Sequence, residues 1–343
     1  MKRTELSELG EFGLINRINQ HVKIYHPDTI KGIGDDAAVL AKTEDIFTLV
    51  SSDMLIEGIH FDLTYFPLKH LGYKAVAVNV SDIAAMNGLP KQMTISLGVS
   101  NRFPVEAIDE LYEGIRLACE NYHIDLVGGD TTATRSGLTL AVTLIGEVKK
   151  ESITYRSGAK PNDIVCVSGD LGAAYMGLQI LEREKQVFKA NPEMQPDLET
   201  HAYLIGKQLK PDGRTDIIHE LLEKGIVPTS MIDISDGLAA EVLHLCHASE
   251  VGIAIFEENL PIENATMLAA TEFKLNPITV ALHGGEEYEL LMTIRQEDYE
   301  KLKTITELTP IGFVNDSKTA TLVLNSGDHA AIQAPGWQAI QPA

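Results

Sequence analysis

The sequence predicts a mixed α+β/α/β fold in two domains, and three observations support this prediction. With 343 residues, the chain is longer than one ordinary core requires and suits two domains of about 150 residues each. Short β-rich runs alternate with longer segments of helical spacing. The alternation pauses at a polar stretch near residue 150 and then restarts. We therefore expect an N-terminal domain over residues 1–150 and a C-terminal domain over residues 151–343.

The individual elements follow from apolar periodicity and from β-branched content. Strands are predicted at residues 46–52, 93–99, 138–148, 164–169, 230–235, 252–256 and 288–294. Helices are predicted at residues 68–86, 104–121, 173–184, 201–209, 215–224 and 238–247. The polar segment 185–200 is expected to be a surface insertion.

Charge and composition narrow the range of functions. The net charge of −21, from 49 acidic and 28 basic residues, predicts that neither nucleic acid nor an anionic membrane is a partner. The acidic N-terminus does not resemble a signal peptide, and no apolar run approaches the ~20 residues of a membrane span. The cysteines Cys119, Cys166 and Cys246 are too scattered for a disulfide framework or a metal site. These features predict a cytoplasmic protein.

Aspartates beside Gly, Ser or Thr recur at five places in the chain. They are Gly34-Asp35-Asp36, Ser51-Ser52-Asp53, Ser81-Asp82, Gly128-Gly129-Asp130-Thr131-Thr132 and Asp233-Ile234-Ser235-Asp236-Gly237. A single Asp-Gly pair is usually only a turn, but five such groups suggest a shared site. Asp53 and Asp130 follow runs that resemble buried strands, so we expect their carboxylates at strand ends, where α/β sites commonly form.

Gathered carboxylates raise one another's pKa and destabilise a fold unless cations neutralise them. Oxygen ligands of this kind favour Mg²⁺ or Mn²⁺ over Zn²⁺. Because Mg²⁺ usually takes further ligands from water and from substrate phosphates, the pattern predicts a bound nucleotide as well. The alternative interpretation is an acidic, solvated surface whose aspartates only form turns.

Common phosphate-binding motifs are missing or misleading. Residues 32–37, GIGDDA, match the glycine spacing of a dinucleotide fingerprint, and Asp53 lies near its acidic position. We reject that interpretation because the fingerprint requires a strand before the first glycine and a helix after the last. The sequence has neither a P-loop nor the protein-kinase motif set, so a nucleotide would be held mainly through metal ions.

Three further residues are candidate ligand contacts, each with a plainer alternative. Arg156 suits phosphate through its guanidinium group, or is a surface arginine. His60 is a candidate contact, or a half-buried histidine at a helix end. Glu286 is a candidate contact because it follows two glycines that allow close backbone approach to a ligand. Its alternative is an acidic loop residue exposed to solvent. Trp337, the single tryptophan, is predicted from its position alone only to anchor the C-terminal tail.

Eight motifs, taken in order, resemble the thiamine-monophosphate kinase family: GEFGLI, GIGDDAAV, SSDMLIEGIHF, KAVAVNVSDIAAMNG, VGGDTT, RSGAKPND, DISDGL and GGEEYELL. The resemblance runs from Gly10 to Trp337 but does not help with segment 185–200. The related aminoimidazole ribonucleotide synthetases and selenophosphate synthetases share the aspartate pattern, but not SSDMLIEGIHF or GGEEYELL.

The resemblance implies a two-domain aminoimidazole-ribonucleotide-synthetase-like fold and a homodimer whose N-terminal sheets join across the interface. It further implies that ATP and several Mg²⁺ ions bind beside that sheet. By motif position, the implied metal-site residues are Asp35, Ser51, Ser52, Asp53, Asp82, Asp130, Asp233 and Asp236. The implied ATP contacts are Tyr112, Gly129, Asp130, Arg156 and Ser235. The implied contacts with thiamine monophosphate are His60, Glu286 and Trp337.

The chemistry of that reaction agrees with these residue types. The acceptor would be a phosphate monoester, which is largely anionic at pH 7 because its second pKa is ~6, so a general base is unnecessary. Bringing two anions into line requires charge neutralisation, which metal ions supply. Two alternatives remain: another ATP-dependent member of the superfamily acting on a nucleotide amide, and a non-catalytic regulator that binds Mg²⁺ or nucleotide.

Overall fold

The computed structural model describes residues 6–334. The helices in this range are α1 (Leu6–Asn19), α2 (Leu68–Ala85), α3 (Val105–Tyr122), α4 (Ala173–Ala190), α5 (Ala202–Leu209), α6 (Thr215–Lys224), α7 (Leu238–Ser249), α8 (Asn264–Glu272), α9 (Pro277–His283) and α10 (Tyr299–Leu302). None of these helices is both long and apolar enough to cross a membrane.

The strands of the described residues form two sheets. The first sheet contains β1 (Thr29–Lys31), β2 (Ala38–Ala41), β3 (Ile46–Ile56), β4 (Leu89–Val99), β5 (Asp125–Ala133) and β6 (Leu138–Lys149). The second contains β7 (Ile164–Ser168), β8 (Ser230–Asp233), β9 (Gly252–Phe256), β10 (Leu290–Ile294), β11 (Leu308–Asn315), β12 (Ala320–Val323) and β13 (His329–Ala331).

The first sheet has the order β1-β2-β3-β6-β4-β5, and only the β4–β5 pair is parallel. Alternate residues of β6 are buried while the residues between them are half-buried, as expected for a sheet covered on one face. Helix α2 packs on the covered face and also contacts β8 and α6 of the second half. Because it is enclosed in this way, α2 is apolar on most sides.

Helices α2 and α3 approach each other unusually closely. A Cβ atom at Gly72 would lie 2.0 Å from the carbonyl oxygen of Leu111, and one at Gly114 would lie 1.8 Å from that of Lys69. Each helix therefore needs a glycine where it meets the backbone of the other. This close contact fixes the position of α2, which carries Asp82.

The second sheet has the order β13-β12-β9-β11-β7-β10-β8, and only the β9–β12 pair is parallel. One face packs against α7, and the opposite face packs against α6 and the end of α2. Alternate residues of β7 therefore belong to different hydrophobic cores. Val165 and Val167 belong to the core beside α7, and Cys166 belongs to the core beside α6. All three cysteines are free thiols.

Every helix and strand predicted from periodicity is present, with altered ends in several cases. Helix α4 continues to Ala190, so the predicted insertion 185–200 begins as helix, although residues 189–200 are exposed. Strand β6 ends at Lys149, close to the predicted boundary at residue 150. However, Met176 of α4 and Leu204 of α5 join the core beneath the first sheet. The division into 1–150 and 151–343 stays a prediction.

One prediction about the aspartates is wrong. Asp53 and Asp130 lie inside strands β3 and β5 and not at strand ends. Strand β3 extends beyond the predicted run because its ladder with β6 continues from Ile46 to Ile56. Strand β5 is exposed throughout its length instead of buried, and its glycines remain in the ladder with β4.

Candidate active site

Three carboxylates converge between the two halves of the chain. Asp36 lies in the loop after β1, Asp82 in the last turn of α2 and Asp233 at the end of β8. One oxygen of each lies within 4.8 Å of one oxygen of the others. The Ser81 hydroxyl donates a hydrogen bond of 2.7 Å to Asp233 Oδ2. Asp53 extends the cluster, since its charge raises the pKa of both Asp82 and Asp233.

Burial makes this cluster electrostatically unfavourable without cations. It raises the pKa of Asp36 to about 7 and that of Asp233 to about 6. Burial and the neighbouring charge of Asp53 raise the pKa of Asp82 well above its usual value. Burial likewise raises the pKa of Asp53. Asp36 Oδ2 is buried without a hydrogen-bond partner among the described residues. An all-oxygen cluster with an unpartnered carboxylate atom fits Mg²⁺.

Arg156 is the cation that contacts this cluster. Its Nη2 and Nε atoms donate to Asp36 Oδ1 at 2.5 and 3.1 Å. Its backbone NH donates to Asp35 Oδ1 at 3.1 Å, and Lys31 Nζ lies 2.8 Å from Asp35 Oδ2. Asp36 was missing from the predicted site residues, because an Asp-Asp pair in a loop does not reveal which carboxylate faces inward.

The pleat of the first sheet divides the predicted metal-site residues between its two faces. Ser51 is buried and lies on the same face as Asp53, next to α2. Ser52 points to the opposite face, where its hydroxyl bonds to the carbonyl oxygen of Val142 at 3.1 Å. Across the sheet, Asp130 pairs with Ser96, Ser96 pairs with Ala141, and Ala141 pairs with Met54. Paired residues point to the same face, and Met54 lies on the same face as Ser52, two residues before it in β3. Asp130 therefore lies on the face of Ser52.

This arrangement separates Asp130 from Asp53 within one chain. Strand β5 lies three positions from β3 in the sheet, and three strand spacings amount to about 14 Å. The structure therefore brings Asp36, Asp53, Asp82 and Asp233 together but leaves Ser52 and Asp130 outside the group. Asp236 lies beside them in the loop after β8, where burial raises its pKa.

A cavity of about 1180 Å³ opens next to the cluster. Asp53, Ser235, Asp236, His60 and Glu286 all line it. The acidic lining residues outnumber the single lysine, Lys185; they are Glu11, Asp53, Asp62, Glu182, Asp236 and Glu286. Aromatic rings also face the cavity, from Phe61, Tyr65, Phe66, Tyr175 and Tyr288. An acidic cavity with several rings suits a cationic, aromatic ligand.

Two backbone hydrogen bonds join the loop that carries Glu286 to the loop that carries Ser235. The NH of Glu286 donates to the carbonyl oxygen of Ser235 at 2.7 Å, and that of Tyr288 donates to Ile234 at 2.9 Å. A Cβ atom at Gly285 would lie 2.5 Å from the carbonyl oxygen of Ser235, so this approach requires glycine. The GGEEY motif thus places Glu286 beside the loop that follows Asp233.

His60 is held in one orientation by the strand before it. The NH of Ile56 donates to His60 Nδ1 at 3.0 Å, so the neutral ring carries its proton on Nε2. Burial lowers the pKa of His60, and the charge of Glu286 acts in the opposite direction. His60 is therefore predominantly neutral at pH 7.

Two predicted contacts, Tyr112 and Gly129, lie away from this centre, and a third cannot be placed. Tyr112 of α3 packs against the first core and is not among the residues lining the cavity. Gly129 lies in the exposed strand β5, where a Cβ atom would lie 1.9 Å from the carbonyl oxygen of Ile95, so its absence of a side chain has a structural reason. Trp337 lies outside the described residues.

Comparisons with known proteins agree with this architecture. The family model of AIR synthase related protein, N-terminal domain, matches residues 34–148. Thiamine-monophosphate kinase of Bacillus subtilis is 36% identical over 331 residues, covering 94% of this chain and 97% of that protein. The Aquifex aeolicus enzyme of the same name is 35% identical over 333 residues, covering 97% and 99%.

A solved structure, AaThiL complexed with AMPPCP and TMP, matches with a TM-score of 0.85 at 33% identity, covering 98% of this chain and 99% of that chain. The predicted aminoimidazole-ribonucleotide-synthetase-like fold is confirmed by these matches, while the dimer interface stays a prediction. On sequence identity over nearly the full length of both relatives, the chain belongs to the thiamine-monophosphate kinase family.

Proposed function

We propose that this chain transfers the γ-phosphoryl group of ATP to thiamine monophosphate in a Mg²⁺-dependent reaction, giving thiamine diphosphate and ADP. One observation carries the proposal: buried carboxylates from both halves of the chain meet at the edge of an acidic, aromatic cavity. The likeness to AaThiL complexed with AMPPCP and TMP supports the same pair of substrates.

Asp36, Asp53, Asp82 and Asp233 would hold Mg²⁺, with Asp35, Asp236 and Ser51 at the margin of the group. When bound, Mg²⁺ neutralises the phosphate charge that the approach of two anions brings together. Arg156 would contact phosphate by giving up part of its pairing with Asp36, and Ser235 lies on the cavity side of the same group. Tyr112, Gly129 and Asp130 stay predicted nucleotide contacts.

The cavity would bind thiamine monophosphate through charge and ring contacts. Thiamine carries a cationic heteroaromatic ring, which favours acidic side chains and aromatic faces. Glu286 supplies a carboxylate at the wall, and His60 supplies an Nε2–H donor. Because the acceptor phosphate is already largely anionic at pH 7, the attacking oxygen has no proton to lose to the protein. His60 would then act only as a hydrogen-bond donor, since its Nδ1 already accepts from the Ile56 NH.

We further propose a homodimer joined through the first sheet. Within residues 6–334, one face of that sheet is uncovered, with Met54 53% and Ile56 37% exposed. In the same part of the chain, strand β5 has an unpaired edge on which Val127 is 59% exposed. Such edges and patches are usually covered in the native assembly. Ser52 and Asp130 lie on this uncovered face, so they would reach a metal across the interface.

Light scattering should give twice the mass of one chain, and a monomer would contradict the dimer.

Counting ADP with and without thiamine monophosphate tests the proposed activity. The proposed kinase forms ADP only when thiamine monophosphate, ATP and Mg²⁺ are all present. A superfamily relative acting on a nucleotide amide would ignore thiamine monophosphate, and a regulator would form no ADP with either acceptor. Either of those two results would contradict the proposal.

A further inference from the structure

Lys74 of α2 is a charged residue enclosed in the protein interior. Its side chain is 1% exposed and is the largest of the fully buried side chains among the described residues. Neither the proposed metal site nor the predicted substrate contacts include it. Burying an ammonium group is strongly unfavourable unless the charge is paired and hydrogen-bonded. The contacts of Lys74 should therefore reveal why a lysine is present.

Those contacts lead to the wall of the cavity. Lys74 Nζ lies 3.1 Å from Glu286 Oε2 and donates to the carbonyl oxygen of Gln208 at 2.9 Å. It also lies 5.5 Å from the centre of the Phe66 ring, and Phe66 lines the cavity. Within residues 6–334, Glu286 is the carboxylate that pairs with Lys74.

Glu286 is constrained from several directions. Gln208 Nε2 donates to Glu286 Oε2 at 2.6 Å, the same oxygen that Lys74 contacts. The Glu286 backbone has a φ of +62°, an uncommon conformation for a residue with a side chain, and its NH is bonded to Ser235. The side chain nevertheless remains 29% exposed and lines the cavity. Its carboxylate is thus held from the protein side while facing the cavity.

We propose that Lys74 is a positioning residue for the substrate site. Lys74, from beneath the cavity, and Gln208, in the cavity wall, fix the Glu286 carboxylate in the orientation that binds the cationic part of thiamine monophosphate. Lys74 is not among the residues lining the cavity, so it acts through Glu286 and does not touch the substrate. This inference rests on the proposed function, because it assigns a residue to the same substrate site.

A double-mutant cycle between Lys74 and Glu286 tests this role. Lys74→Met, Glu286→Gln and the double variant are compared with the wild type in kcat and in KM for each substrate. Lys74→Met should raise KM for thiamine monophosphate about tenfold and KM for ATP by less than about twofold, since the pair serves only one substrate. In the Glu286→Gln background, Lys74→Met should change KM by less than about twofold, because its target is already lost.

Two further variants complete the test. Lys69→Met removes a half-exposed charge from the same helix and should leave both KM values unchanged. If Lys74→Met does not fold, Gln208→Leu removes the other donor to Glu286 and should give the same selective, non-additive rise in KM. Additive effects, or equal rises for both substrates, would overturn the inference while leaving the proposed function intact. A wild type that ignores thiamine monophosphate would overturn both.

Discussion

Asp53 joins the carboxylate cluster to the cavity, since its charge raises the pKa of Asp82 and its side chain also lines the cavity wall. Asp53→Asn keeps the shape of this side chain but weakens its affinity for a cation. We expect kcat to fall by at least about 100-fold, the scale of loss when a group that stabilises transition-state charge is removed. The fold should persist, because the variant relieves a buried carboxylate. Steady-state rates over a Mg²⁺ titration, with circular dichroism, check both expectations.

The matched control for this variant is Asp316→Asn. Asp316 is exposed in the turn between β11 and β12, so its substitution should leave kcat unchanged. Asp163, which follows a turn before β7, is a poor control. It is buried and accepts hydrogen bonds from the Lys160 NH and the Thr229 hydroxyl. Wild-type activity of Asp53→Asn at low Mg²⁺ would remove Asp53 from the metal site.

His60 provides a test of the base-free mechanism. Burial lowers its pKa, so the ring becomes charged only below its ordinary titration range near ~6.5. Because the proposed mechanism uses no protein base, the second ionisation of the substrate phosphate, at ~6, should set the acidic limb of kcat/KM. His60→Gln should weaken binding of thiamine monophosphate yet retain this limb, measured at saturating Mg²⁺. Loss of the limb in that variant would make His60 the titrating group.

At the scale of elements, the contact between α2 and α3 positions Asp82 and Lys74. Gly114→Ala would push a methyl group to 1.8 Å from the Lys69 carbonyl oxygen. We expect it to lower the free energy of unfolding by about 2 kcal/mol, a typical cost of overpacking. In α5, Gly206→Ala meets nothing within 4 Å and should instead stabilise the protein by about 0.5–1 kcal/mol.

Urea unfolding of the two glycine variants gives both free energies directly. Equal effects would mean that α2 and α3 can separate without cost, and the rigid placement of Asp82 would then lose its support. A loss of activity in Gly114→Ala that exceeds its loss of stability would indicate that the carboxylate cluster has shifted.

Elements with clear apolar periodicity were predictable from the sequence, and those defined by long-range pairing were not. Strand β6 has a sequence pattern that alternates along the strand, and it was predicted correctly. Strand β5 was expected only as a buried run that ends before Asp130, but it is exposed and continues to Ala133 because it pairs with β4, and no local pattern indicates that pairing. Strands β11, β12 and β13 were missed for the same reason.

The candidate site was predictable in its residue types but not in its geometry. The aspartate motifs identified Asp53, Asp82 and Asp233, but the face of the sheet on which Ser52 lies depends on pairing register. The choice of Asp36 over Asp35 depends on the position of Arg156. Lys74 has a signal that could have been used, because it interrupts the apolar run of α2.

At the scale of the whole molecule, the buried carboxylates link stability to pH and to Mg²⁺. The folded-state pKa of Asp36, about 7, lies above the value of 3.8 expected when the chain unfolds. The unfolded chain therefore binds fewer protons between these values, and stability contributed by this group is lost as pH rises from about 4 to about 7. Asp233, with a pKa of about 6, acts in the same direction.

Mg²⁺ should offset this loss by pairing with the ionised carboxylates. We expect saturating Mg²⁺ to raise Tm by about 5 °C at about pH 8 and by much less at about pH 5, where protonation competes with metal binding. Thermal scans at the two pH values measure this difference. Asp53→Asn is the control, and its Tm should rise less on addition of Mg²⁺ than that of the wild type. An equal Mg²⁺ effect at both pH values would contradict binding at the cluster.

The central claim is that this carboxylate cluster and cavity support phosphorylation of thiamine monophosphate. Its most direct test is chromatographic measurement of thiamine diphosphate formed from thiamine monophosphate and ATP, with ADP counted in the same samples. We predict one thiamine diphosphate for each ADP in the presence of Mg²⁺ and neither product after chelation of the metal. ADP without thiamine diphosphate, or thiamine diphosphate formed in the chelated sample, would contradict the account.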